Sequence, residues 1–459
     1  MHKAVGTMVQ PLFRSPAREV RDFYGRRYRV GESDRELLGR PRSRVLWAAC
    51  AVMPVASVGQ YAYAALMPAL AAVHGWSPAQ CCWVLALWTV CQSAVVYPAA
   101  RVRARLGVPA AAPVLLGAVL CGTGLVALGG SGSLLVVALD FGLLGGTGAG
   151  LIYGACLGSV ARWYPERPVP TSLVSGSFAA GSVPFVLLAG RTADAGDLVL
   201  CTGLAAAILP LVAGVAALLL REPPAHWWPA RVDPRAWALD KALNPALRRN
   251  RPALRSFSPA EVLRCPASRV LFAVMTLATT VALFDTAHLV VFALGRGLSP
   301  GQATVALAVF AAASGTARVG AGWAGDRFGR LVATRVALYA GAAAQPLLLA
   351  GGQHRDAWLV LGAAAVAGAS AGACFALLPG LVEGHFGERP GLPNFALFYA
   401  AKAAGGLLGI ALAGYLATWF GYPPVFAAVA VVGLVGAVVA GTLRQPGRPR
   451  LPLPGGPWR

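Results

Sequence analysis

GWSPAQ at residues 75–80 recurs as GLSPGQ at residues 297–302, a displacement of 222 positions. The same displacement lays Arg105-Leu106-Gly107 on Arg327-Phe328-Gly329, and WYPERP at 163–168 on HFGERP at 385–390. Each match falls at the edge of a long apolar run. Three coincidences at one offset, all at run ends, indicate a duplicated unit. Twelve apolar runs lie between 45 and 443, six per copy, each near the 20 residues or so that cross a bilayer. The expectation is an all-α membrane protein of twelve transmembrane helices in two six-helix pseudo-repeats. Its divisions are a basic tail at 1–44, a first half at 45–220, a linker at 221–268, a second half at 269–443 and a tail at 444–459.

Composition agrees. Hydrophobic residues make up 57% of the chain and charged residues 12%, with a mean hydropathy of +0.62. The runs are solidly apolar rather than alternating, which selects a helix bundle over a barrel. The first run follows a basic segment and is too long for a cleavable core, so no secretory signal is expected. A net charge of +21 in a soluble protein would suggest nucleic acid. Here its distribution argues for topology instead. With alternate loops assigned to opposite sides, one face receives only Arg191, Arg296 and Arg355 of the 39 Lys and Arg residues. The other carries nearly all the rest, which predicts cytoplasmic termini and linker in the cell membrane. The nine cysteines sit mostly inside spans without ligand spacing and read as packing residues.

Two cations fall inside apolar runs: Arg318 in AVFAAASGTARVGAGWAG and Lys402 in FALFYAAKAAGGLLGIALAGYL. Neither run contains an acid. A charge at the bilayer centre costs about 2.5–3.5 kcal/mol on insertion scales, and a passing anion could offset that. Snorkelling to an interface, or an acid on another helix, is the alternative. The positions 222 residues earlier are Val96 and Ala180. Residues that only build the repeat should occur twice, so their asymmetry favours a role in a site.

Gly322-Trp-Ala-Gly-Asp326-Arg327-Phe-Gly329-Arg330 is similar to the G-x-x-x-D-R-x-G-R loop signature of the major facilitator superfamily. The resemblance implies a gating loop between spans eight and nine. The first-half copy keeps Arg105 and Gly107 but has Ala104 in place of the acid. A closer likeness lies in GQYAYAALMPALAAVHGWS at 59–77, GLIYGACLGSVARWYPERP at 150–168, the Lys402 segment and the tail stretch YRVGESDRELLGRPR. Together these resemble the oxalate/formate antiporter family, related to monocarboxylate carriers. The resemblance implies that Arg318 and Lys402 bind carboxylates, with Gln60, Tyr61 and Tyr153 lining the same cavity.

Spacing supports that assignment. Phe395, Tyr399, Lys402, Gly405 and Gly409 follow helical periodicity, as do Phe310, Ser314 and Arg318, and Ser57, Gln60 and Tyr61. Arg offers a fork, Lys a point charge and Tyr a neutral donor to a small planar anion. Asp285 on span seven could carry a proton, or serve as counter-ion to Arg318 or Lys402. His288, three residues on, reads as a packed neutral residue. There is no G-x-x-x-x-G-K-[ST] loop, so nucleotide drive is not expected. The 221–268 linker, with Trp227 and Trp228 among arginines, suits a helix on the leaflet or a solvated connection, and Ser258-Pro-Ala-Glu261 reads as a capping box.

The expectation is a secondary transporter of small carboxylates, neither an enzyme nor dependent on a cofactor or metal. Its partners are a small organic anion and the lipid bilayer, without nucleic acid, and it is read as a monomer. Proton-coupled lactate-like transport is one alternative and proton-driven drug export another, the latter only loosely suggested by the Gly- and Pro-containing 175–184 segment.

Overall fold

A computed structural model describes residues 17–387 and 393–447. Part of HFGERP, the ends of both tails and the start of span eleven's entry loop lie outside that range. Among the described residues, twelve helices are long and apolar enough to span a membrane. Spans one to six are Ser43–His74, Pro78–Leu106, Ala111–Gly130, Leu134–Trp163, Val169–Ala189 and Ala195–Ala217. Spans seven to twelve are Pro266–Gly295, Pro300–Phe328, Arg330–Gln353, Ala357–Phe386, Asn394–Phe420 and Tyr422–Gly441.

The duplicated hexapeptide is a helix stop followed by a helix start. Gly75 and Gly297 take φ of +69° and +87°, a left-handed conformation that ends spans one and seven at little steric cost. Ser77 and Ser299 then cap spans two and eight. Each hydroxyl accepts from the backbone N–H three residues on, at 3.2 and 3.3 Å. The Gln80 and Gln302 carbonyls accept from the serine N–H at 2.8 and 2.9 Å, which completes a capping box in both halves.

Tertiary packing repeats with the same displacement. In the first half a Cβ on Gly146 would collide with the Trp88 carbonyl, and one on Gly150 with the Gln92 carbonyl. In the second half Gly368 stands in the same way against Phe310, and Gly372 against Ser314. Each of these residues lies 222 positions from its counterpart. Span four therefore seats on span two, and span ten on span eight, by the same pair of glycine notches. Small residues at such crossings bring helix backbones together where no hydrophobic driving force separates protein from lipid.

The tail-bearing face carries an ordered cap. Strands β1 (Arg18–Arg21) and β2 (Arg27–Val30) form an antiparallel hairpin. Its turn is tied by Asp22, which accepts from the Tyr24 and Arg26 N–H groups and the Tyr28 hydroxyl. The linker joins this hairpin: Arg29 N–H donates to His226 O at 2.7 Å, and Trp228 N–H to Arg29 O at 2.9 Å. Trp227 packs edge-on against Trp163 at the end of span four. The leaflet-helix reading of the linker is thereby corrected. Trp227 and Trp228 are each 2% exposed and buried against protein, and the linker's helical pieces are one or two turns long. The capping box at Ser258 and Glu261 is present. There the Ser258 N–H and Arg255 hold the Glu261 carboxyl down to about 2.

A candidate substrate chamber between the halves

Span eleven is irregular around Lys402. The α-helix is interrupted at Ala400, resumes at Ala401–Gly406, and widens to a π-helical segment at Leu407–Leu412. Such interruptions cost backbone hydrogen bonds and recur where function requires them. The Lys402 ammonium donates to Gln60 Oε1 at 2.8 Å and to Gln92 Oε1 at 3.0 Å. On span eight, Arg318 Nη1 donates to the carbonyl and hydroxyl of Ser175, the latter at 3.0 Å. Arg318 Nε has no partner among the described residues. The two cations are 2% and 1% exposed.

Two phenyl rings lie by both charges. Arg318 Cζ is 5.7 Å from the Phe178 centroid and 4.9 Å from that of Phe375. Lys402 Nζ is 5.5 and 6.0 Å from the same two rings. The guanidinium and the ammonium thus converge on one aromatic chamber. Tyr399 adds a third ring, 5.7 Å from Lys402, and Tyr153 stacks on it with centroids 4.7 Å apart. Tyr61 and Tyr153 both meet Phe178 edge-on.

Every polar partner of the two cations in this set is neutral. Desolvating an ion costs several kcal/mol. A hydrogen bond to a charged group returns about 1.5–3 kcal/mol, and a desolvated cation–π contact about 2. Dipoles and rings therefore offset part of the cost, while an anion is the partner that removes the charge itself. The origin of these groups matters too. Both cations belong to the second half, and Gln60, Gln92 and Ser175 to the first. Parting the halves strips the cations of their acceptors unless an anion replaces them.

The halves touch along two helix pairs beside the chamber. Spans five and eight touch along their length, at Ser172 against Gly322, Gly176 against Gly315, and Gly190 against Thr304. Spans two and eleven meet at Thr89 against Gly406 and Cys82 against Gly414.

Asp285 is elsewhere. Its Oδ2 accepts from Gln345 Nε2 at 3.1 Å on span nine, while Oδ1 has no partner among the described residues. The counter-ion alternative does not hold in this structure, because that carboxylate points to span nine rather than to Arg318 or Lys402. His288 lies 3.1 Å from the Ile410 carbonyl within the π-helical segment, a satisfied buried imidazole.

The turn between spans eight and nine differs from a loop. Span eight runs to Phe328 and span nine starts at Arg330, which leaves Gly329, with φ +100°, as the whole connection. Gly322, Asp326 and Arg327 are therefore helical. Arg330 donates to the Gly380 carbonyl at 2.7 Å and lies 3.6 Å from Asp326, while Arg327 is exposed. Asn250 of the linker grips this turn. It donates to Gly325 O at 2.9 Å and accepts from the Arg330 N–H at 2.8 Å.

Gln60, Tyr61, Tyr153, Tyr399, Arg318 and Lys402 are thus gathered in one place. Sequence reasoning missed Gln92, Ser175, Phe178 and Phe375. One signal was available: Phe375 stands 222 positions after Tyr153, an aromatic at the equivalent place of each half. A glutamine in the apolar run of span two was a second.

Known proteins resemble the chain as a whole. The chain is 24% identical over 311 residues to a protein named oxalate:formate antiporter from Oxalobacter formigenes, covering 67% of this chain and 69% of that one. It is 28% identical over 382 residues to an uncharacterized 38 kDa protein in a 23S RNA operon of Thermoproteus tenax, covering 82% and 89%. A sequence profile of the Major Facilitator Superfamily matches residues 50–392 and 270–458. With twelve spans, a repeated scaffold and profile matches that together reach from 50 to 458, the chain belongs to the Major Facilitator Superfamily and is a secondary transporter.

Proposed function

We propose that the protein exchanges small carboxylate anions of the oxalate and formate type by alternating access, with Arg318 and Lys402 receiving the carboxylates. The observation that carries this reading is a pair of buried cations from different helices sharing two phenyl rings, with neutral hydrogen-bond partners among the described residues. The name of the Oxalobacter relative supports it. Gln60, Tyr61, Tyr153 and Tyr399 complete the lining. The Asp326–Arg330 turn steadies the face that opens toward the tails, which the positive-inside rule places in the cytoplasm of a cell-membrane monomer.

Exchange follows from the charge arrangement. Anion binding offsets the chamber's charge, fully for a dianion and in part for a monoanion, and lets the halves part without exposing both cations bare to a dry interface; the return stroke needs another anion. Proteoliposomes at fixed pH, loaded or not with a counter-anion, test this. Labelled oxalate should enter only loaded vesicles, and uptake should vanish in Arg318→Ala and Lys402→Ala. Equal uptake into empty vesicles would overturn exchange.

One observation favours a second reading. Among the described residues, the buried Asp285 carboxyl has an unpartnered oxygen and no cation paired with it, as a proton-carrying group in a monocarboxylate symporter would. Uptake driven by an imposed pH gradient in vesicles without counter-anion, and lost in Asp285→Asn, would establish it.

A further inference from the structure

We infer that Gln92 of span two sets the charge of the anion this carrier prefers. The inference rests on the carboxylate reading above and assigns a role to a residue outside the cationic pair. Gln92 is fully buried, and the close seating of Gly150 on its carbonyl fixes its backbone. Its side-chain oxygen lies 3.0 Å from the Lys402 ammonium, and its Nε2 donates to the Tyr399 hydroxyl at 3.0 Å. It is therefore clamped at both ends, one on the charge and one on the ring that flanks that charge.

What matters chemically is that Gln92 is an amide where an acid would fit. A carboxylate of the same shape would stand at ion-pair distance from Lys402. An amide gives the ammonium a dipole and leaves its charge uncancelled. With Arg318 also facing a neutral partner, Ser175, the chamber presents two net positive charges. A dianion neutralises both, and a monoanion leaves one. Two such charges in a low-dielectric site interact far more strongly with the second negative charge than bulk water would allow. Gln92 thus acts as a positioning residue for Lys402 whose neutrality keeps the site divalent. At the equivalent position of span eight the residue is Ser314, one turn before Arg318. The neutral place in the first half and the charged helix of the second face the same chamber.

The test is a charge series at one position. Gln92→Glu is close to isosteric, and its carboxylate can accept from Lys402 and from the Tyr399 hydroxyl. Gln92→Met removes the acceptor without adding charge. Each is reconstituted beside the wild type, and half-saturation is measured for oxalate, a dianion, and formate, a monoanion. The glutamate variant should shift the ratio of the two toward formate by about tenfold or more, the equivalent of 1.4 kcal/mol, and should admit formate into vesicles without counter-anion. The methionine variant should keep the oxalate preference at or above that of the wild type. A purely structural role would weaken both substrates equally in the glutamate variant and leave its ratio unmoved, which overturns the inference. Should the glutamate variant fail to fold, a loss of oxalate preference in the methionine variant still overturns it. Exchange by the wild type with an unchanged ratio in the glutamate variant sinks the Gln92 role alone. Absence of carboxylate transport by the wild type sinks the functional reading, and this inference with it.

Discussion

Span two and span eight occupy equivalent places in the two halves and treat their equivalent residues in opposite ways. The backbone carbonyls of Gln92 and Ser314 do the same work, each receiving a glycine of the neighbouring span. Their side chains, and the pair one turn on, Val96 and Arg318, do not match at all. Backbone contacts that hold a six-helix unit together are bound to the repeat, because both copies must close on the same helix crossings. Side chains aimed into the interface between copies are free of that constraint. The chamber is accordingly asymmetric, with charge supplied by one half and neutral acceptors by the other.

The largest effect should come from the asymmetric set. Arg318→Ala or Lys402→Ala is expected to reduce exchange at least about a hundredfold, since each removes a charge that balances the substrate. Both proteins should remain folded, as judged by monodispersity and helical circular dichroism. The symmetric set sharpens the contrast. Gly150→Val and Gly372→Val put a side chain where a carbonyl already lies, and overpacking of this kind costs about 1–3 kcal/mol. Both should lower the thermal midpoint in detergent by similar amounts, although they sit in different halves. Unequal losses would show that the two notches are not equivalent. A milder probe exchanges the equivalent aromatics, Tyr153→Phe with Phe375→Tyr. Ring packing around the cations is kept and only a hydroxyl moves, so half-saturation for oxalate should change by no more than about tenfold. The smallest effect is expected outside the chamber. Asn250→Ala removes two hydrogen bonds from the turn at Gly329, so stopped-flow uptake should report an altered rate of exchange with half-saturation nearly unchanged.

Much of this was legible from residues alone. The Ser-Pro-x-Gln repeat marks helix starts because capping is a local interaction within four residues. Arg318 and Lys402 stand out because a cation in an apolar run has few innocent explanations. Other features had no local signature. Phe178 has Ala400 as its counterpart, so the repeat could not flag it. Ser175 looks like any small residue in a glycine-rich span until Arg318 is seen to donate to it. The Trp227–Trp228 pair reads as interfacial until the N-terminal hairpin covers it. Asp285 could be placed in the membrane but not on a side of its helix.

The division has a physical cause. Span number, the twofold architecture and the presence of uncompensated charge depend on length, hydropathy and capping, each readable within a window of some twenty residues. The choice of Gln60, Gln92 and Ser175 as the groups that meet those charges depends on how helices hundreds of positions apart are rotated and seated. Glycine notches and the contact between halves decide that rotation, and only the assembled bundle contains them.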